Sequence, residues 1–217
     1  MPVFLAAAIT FGADPEVNFV PANRVSVREL RVPDKARNKY ADGQARVTKH
    51  DVSGARRKFT EAVEIAPEYA AAWNALGVLA TDPAQAEPFF RQAIAADADN
   101  VEALLNLGAL LLKTGRAEQA LELHRRAAKL VPEDAAALAQ FGINLYQLGD
   151  LNEAERALLT ATRINPQHAA RPQLFLAEIY ARRGEKARAA AQIEELLALK
   201  PNPELATTLR SVLAKLQ

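Results

Sequence analysis

From about residue 36 onward, apolar residues recur three and four positions apart in short runs, separated by polar stretches that carry Gly or Pro. That spacing predicts amphipathic helices, and the repeating region shows no strand-like alternation. The runs themselves recur. Laying Ala103–Gly108 over Ala137–Gly142 gives an offset of 34 residues, and the register continues without a gap. Leu104 falls on Leu138, Leu107 on Phe141, Leu111 on Leu145, Gly115 on Gly149, Ala120 on Ala154, Ala127 on Ala161 and Pro132 on Pro166.

The same ruler extends in both directions. Upstream, Trp73, Leu76, Gly77, Phe90 and Ala93 take corresponding places once about three residues are removed near Thr81 to Ala84. Gly43, Ala55, Phe59, Ala62 and Pro67 fit an earlier unit. Downstream, Leu176, Ala177, Tyr180, Gly184, Ala189, Ile193, Leu196 and Pro201 fit a later one after a single insertion near Arg171. The chain therefore divides into an N-terminal segment, 1–33, a repeat region, 34–203, and a C-terminal stretch, 204–217. The five units run 36–69, 70–100, 101–134, 135–168 and 169–203. Each has one helical run before a central turn and one after it, which predicts two antiparallel helices per unit. Gly77, Gly108 and Gly142 fall inside the first helix, where glycine costs about 1 kcal/mol relative to alanine. Close approach of the second helix supplies the reason, with Ala86, Ala120, Ala154 and Ala189 expected to face the contact.

A Trp or Leu, then Leu-Gly, an apolar residue, a turn glycine, alanine, a bulky residue, alanine and proline: this order closely resembles the tetratricopeptide repeat (TPR) family, whose unit has 34 residues. The resemblance recurs five times in phase over about three quarters of the chain. It departs from the family at several points. The second unit is short and has Ala98 in place of the terminal proline; the third has His124 at a bulky apolar position; the fifth has Ala177 for the early glycine. In the first, Lys39 and Asp42 occupy usually apolar positions, which predicts a frayed or register-shifted helix. The resemblance implies an all-α, right-handed superhelix of about five helix pairs, with first helices lining a concave groove that holds peptides or other proteins. Residues 204–217 place Leu205, Leu209, Val212, Leu213 and Leu216 at helical spacing, as expected of a capping helix over the last repeat.

Residues 1–33 stand apart. Val3 to Ala13 is an apolar stretch of about ten residues, short of the roughly 20 needed to span a membrane. It reads either as a secretory signal, whole or truncated, or as an apolar tail, because no Lys or Arg precedes it. The compartment follows that choice, exported or periplasmic in the first case and cytoplasmic in the second. Asn23 to Val32 alternates imperfectly, consistent with a short extended segment.

Composition narrows the chemistry. Lys+Arg 27 against Asp+Glu 26 leaves a net charge of +1, which argues against a phosphate-neutralising surface and so against nucleic acid as a partner. With no cysteine, disulfide scaffolds, zinc-cysteine modules and thiol nucleophiles are excluded. Alanine, roughly a fifth of the chain, suits closely approaching helices. His50, His124 and His168 share no ligand spacing, and no phosphate-binding glycine loop, His-Glu metalloprotease pair or serine elbow occurs. No cofactor or metal is expected, and the chain reads as non-enzymatic. The basic clusters at Arg56, Arg125 and Arg182 have carboxylates nearby at Glu61, Glu118 and Glu178, consistent with solvated faces.

The resemblance also names candidate groove positions: Tyr40 and Gln44; Asn74 and Val78; Leu105, Ala109, Leu112 and Lys113; Ala139, Ile143 and Tyr146; Leu174 and Glu178. The central part of this set is apolar, unlike the Lys, Arg and Asn that family members use to clamp the acidic tails of chaperones. An apolar groove fits an amphipathic helix or an extended apolar segment. The reading is a protein-binding scaffold or adaptor. The alternative is a self-assembly module whose groove is filled by its own N-terminal segment, Phe4 to Phe11, or by a second copy in a homodimer.

Overall fold

A computed structural model describes residues 31–216 of the protein. Those residues contain eleven helices and no strand. The helices are α1 (Asp34–Val47), α2 (Val52–Ile65), α3 (Ala70–Val78), α4 (Pro83–Ala96), α5 (Val101–Lys113), α6 (Ala117–Leu130), α7 (Ala135–Leu148), α8 (Leu151–Ile164), α9 (Pro172–Arg182), α10 (Lys186–Ala198) and α11 (Pro203–Leu216). The all-helical fold agrees with the periodicity. The apolar stretch Val3–Ala13 and most of Asn23–Val32 lie outside the described residues.

Local chemistry sets where the helices begin. The carboxylate or amide oxygens of Asp51, Asp82, Asn100 and Asp134 accept the backbone N–H of Gly54, Ala84, Ala103 and Ala137, each at 2.9 Å. Asp150 does the same for Glu153 at 3.1 Å. Each satisfies an amide that has no partner within its helix. The turns after the first helices α1, α5, α7 and α9 each carry one left-handed residue. Gly115, Gly149 and Gly184 supply it at φ 76°, 86° and 76°, and His50, seven residues after Gly43 as Gly115 is seven after Gly108, adopts φ 58°.

The described chain forms two compact units, residues 31–130 with α1–α6 and residues 131–216 with α7–α11. In the first, α1 pairs with α2, α3 with α4 and α5 with α6, while α3 also packs on α2 and α5 on α4. One core joins Val32, Ala36, Phe59, Ala62, Ala72 and Leu76; another joins Ala86, Phe90, Leu107, Leu111 and Ala120. Helix α1 is continuous over 14 residues, so the expected fraying is not found. The reason is that Lys39 reaches Glu61 of α2 at 2.6 Å, while the Tyr40 ring packs between Phe59 and Tyr69 at 5.3 and 5.1 Å.

The helix glycines also have a partner different from the one expected. Ala86, Ala120, Ala154 and Ala189 are buried, but the side chains lying over Gly77, Gly108 and Gly142 come from four positions farther along the second helix than Ala86, Ala120 and Ala154. A Cβ on Gly43 would sit 2.5 Å from Phe59, on Gly77 2.5 Å from Phe90 and on Gly142 2.7 Å from Leu158. His124 fills that place over Gly108 and is fully buried. The missing Cβ makes room for a large side chain, and the alanines fill the space beside it.

In the second unit α7 packs on α8 and α9, α9 on α8 and α10, and α11 on α10. Helix α9 follows Arg171, which has a left-handed φ of 46° at the expected insertion, and it is buried over nine consecutive residues, Pro172–Tyr180. Leu205, Leu209 and Val212 of α11 are buried, whereas Leu213 and Leu216 are half-buried.

Candidate protein-interaction site

Eight candidates fall in the 31–130 unit, and the structure sorts them by what they touch. Tyr40 belongs largely to the core. Val78 and Leu112 are half-buried against the Phe90–Leu107 cluster. Leu105, Ala109 and Gln44 are half-buried, and Lys113 is exposed at the end of α5. Asn74 is tied across the repeats, because Asn106 Nδ2 donates to its Oδ1 at 2.9 Å and links α3 to α5. Asn106 was not among the candidates. On the first helices of this unit Val78, Leu105, Ala109 and Leu112 are thus half-buried apolar positions, the Asn74–Asn106 pair joins the same two helices, and Lys113 is exposed at the end of α5.

The 131–216 unit differs. Ala139 is fully buried, and Ile143, Leu174 and Glu178 are 9%, 3% and 5% exposed. These four do not form an open surface, contrary to the expectation for groove positions. Leu174 and Glu178 lie within the run Pro172–Tyr180 of α9, which is buried throughout. Tyr146 stays half-buried. Its hydroxyl accepts from Arg182 Nη2 at 2.6 Å, the guanidinium lies 4.7 Å from its ring centroid, and Phe175 meets the ring edge-on at 5.4 Å. Burial, and then the Glu178 charge, push the Tyr146 phenol above its ordinary value. Arg182 Nε in turn donates to Glu178 at 3.1 Å, so the enclosed carboxylate is paired.

The charged clusters are bound up in pairs. Arg116 grips Glu87 through two hydrogen bonds of 2.9 and 2.6 Å, and Arg91 donates to the same carboxylate, holding it down at about 2. Lys39 and Lys58 hold Glu61 at about 2 in the same way. Arg125 and Arg126 pair with Glu122 and Asp99 instead of the expected Glu118, because α6 turns Arg126 toward the α4–α5 connection. Glu155 accepts from Tyr180, Arg183 and Arg188, a knot across α8, α9 and α10 that the linear sequence does not announce. Burial and the bond to Glu155 push the Tyr180 phenol up to about 12. Burial lowers His168, while Asp134 acts in the opposite direction. No cluster of three or more His, Cys, Asp or Glu able to hold a metal occurs among the described residues, and none of their helices is long and apolar enough to cross a membrane.

The family model for the tetratricopeptide repeat matches residues 78–123 and 111–173. The chain belongs to the tetratricopeptide repeat family. It is 32% identical over 158 residues to cellulose synthase operon protein C of Xanthomonas axonopodis pv. citri, covering 69% of this chain and 10% of that protein. It is 42% identical over 88 residues to the TPR repeat-containing protein PA4667 of Pseudomonas aeruginosa, covering 40% of this chain and 15% of that protein. The TPR chain thus matches only a small part of the length of either relative. The crystal structure of YrrB, a TPR protein with an unusual peptide-binding site, superposes with a TM-score of 0.66 at 23% identity, over 81% of this chain and 92% of that one. TPR proteins are generally non-enzymatic scaffolds, and the TPR fold here supports a protein-interaction role.

Proposed function

We propose that this TPR protein holds an apolar peptide segment or the apolar face of a helix along the first helices of its 31–130 unit. The supporting observation is the strip formed by Val78, Leu105, Ala109 and Leu112, apolar side chains left half-buried on adjacent first helices where the other core positions of α5 are closed. Apolar surface left accessible to a partner favours binding, since each Å² removed from water contributes about 25 cal/mol before ordering costs. The Asn74–Asn106 pair sets a polar edge that can exchange hydrogen bonds with a peptide backbone. YrrB, with the same fold, has a peptide-binding site, which makes a peptide ligand the natural reading.

Selection from a random displayed-peptide library tests the ligand class. The expected winners carry apolar residues at helical or alternating spacing. Winners dominated by acidic residues would refute the apolar reading.

A further inference from the structure

Four of the five groove positions of the 131–216 unit are closed, although their repeat equivalents upstream are only half-buried. Ala139 and Leu174 correspond to Leu105, and Ile143 and Glu178 to Ala109; all four are buried, while Leu105, Ala109, Asn74 and Val78 are half-exposed. The neighbouring helices do not explain the contrast. Helix α5 packs against its own second helix, the preceding second helix and the preceding first helix, and α9 has the same three kinds of neighbour in α10, α8 and α7. An amphipathic helix in that setting keeps one face toward solvent.

We propose that residues Val3–Phe11 of the same chain cover this face, over Ala139, Ile143, Leu174 and Glu178. The proposal rests on the reading that first-helix faces of these repeats take apolar segments, and it names the occupant of one of them. The segment has the matching chemistry: no Asp, Glu, Lys or Arg precedes Asp14, and Val3, Phe4, Leu5, Ile9 and Phe11 supply bulk. The face it meets has its one carboxylate already paired with Arg182, so an apolar cover strands no charge. Residues 12–30 would reach about 60 Å if extended, which leaves the choice of face to side-chain chemistry. The upstream strip, with its asparagine pair, then stays open to an outside partner. The protein therefore carries one face filled by its own N-terminal segment and one left free.

The absence of cysteine makes the test direct. The 217-residue chain carrying Glu178→Cys is labelled with a maleimide, with and without Phe4→Asp and Ile9→Asp in the segment. Leu174→Cys serves as a second reporter, and Ser211→Cys on the exposed side of α11 as the control. The expected result is slow labelling at 178 and 174 that accelerates about tenfold or more when the segment is charged, with position 211 unchanged. Slow labelling in both backgrounds would mean that the helices themselves enclose the site and would overturn the proposal. So would labelling as fast as at position 211 with the segment unaltered. Protection that rises with protein concentration would assign the face to a second copy and likewise overturn it. None of these outcomes touches the upstream strip, whose ligand is tested separately by the selected peptides.

Discussion

Phe90 lies over Gly77 so closely that a Cβ at position 77 would sit 2.5 Å from its ring. Phe59 and Leu158 stand in the same relation to Gly43 and Gly142. The contact fixes how near the two helices of a repeat can approach, and so where the first-helix face ends up.

Gly77→Ala is therefore expected to destabilise the protein despite alanine's better helix propensity. Overpacking costs about 1 to 3 kcal/mol and the propensity gain returns about 1 kcal/mol. A urea titration should show a lower midpoint, and Gly77→Ala combined with Phe90→Leu should recover part of the loss.

Leu107 is 2% exposed and shares its core with Phe90 of the preceding repeat and Ala120 of its own second helix. Leu107→Ala should cost about 2 to 5 kcal/mol by opening a cavity between repeats. Because neighbours share that interface, hydrogen exchange should speed up in α4 as well as in α5 and α6. Loss confined to α5 would argue against shared stability.

Acid should loosen the link between the second and third repeats. The Glu87 carboxyl is depressed from 4.5 to about 2, first by Arg116 and then by Arg91. A carboxylate whose folded value is depressed contributes stability that is present above its unfolded value and lost as pH falls through the folded one. The wild-type urea midpoint should accordingly fall between pH 4.5 and about 2, and Glu87→Gln should show a lower midpoint at neutral pH with a shallower decline over that window.

His50 adopts a left-handed φ of 58° where the third, fourth and fifth repeats use glycine. That conformation costs a residue with a Cβ about 1 to 2 kcal/mol, partly offset by the greater freedom that glycine has in the unfolded chain. His50→Gly should raise the thermal midpoint slightly, and Gly149→Ala should lower it.

The repeat register was readable from the sequence because a buried position must be filled in every unit. Leu104, Leu107, Phe141 and Leu176 announce the inner face by recurrence alone, and all are buried. Periodicity says which face turns inward, but not which side chain of the partner helix crosses it, so it points to Ala86 where Phe90 lies over Gly77. Nor does it register contacts between side chains far apart in sequence. The Asn106–Asn74 bond, the Lys39–Glu61 pair that holds α1 together and the Glu155 knot all arise only when helices are set side by side. The burial of Leu174 and Glu178 is the sharpest case, since their repeat positions match those of the half-exposed Leu105 and Ala109.

The most direct test of the account is the affinity of a selected apolar peptide for wild-type protein and for Leu105→Glu/Leu112→Glu, measured by titration calorimetry with circular dichroism confirming intact helices. Both side chains are half-buried on the strip, so the charges should leave the helices folded while denying the peptide an apolar surface. A loss of about tenfold or more, corresponding to roughly 1.4 kcal/mol, is expected. Unchanged affinity in a folded double variant would contradict the assignment of binding to this face.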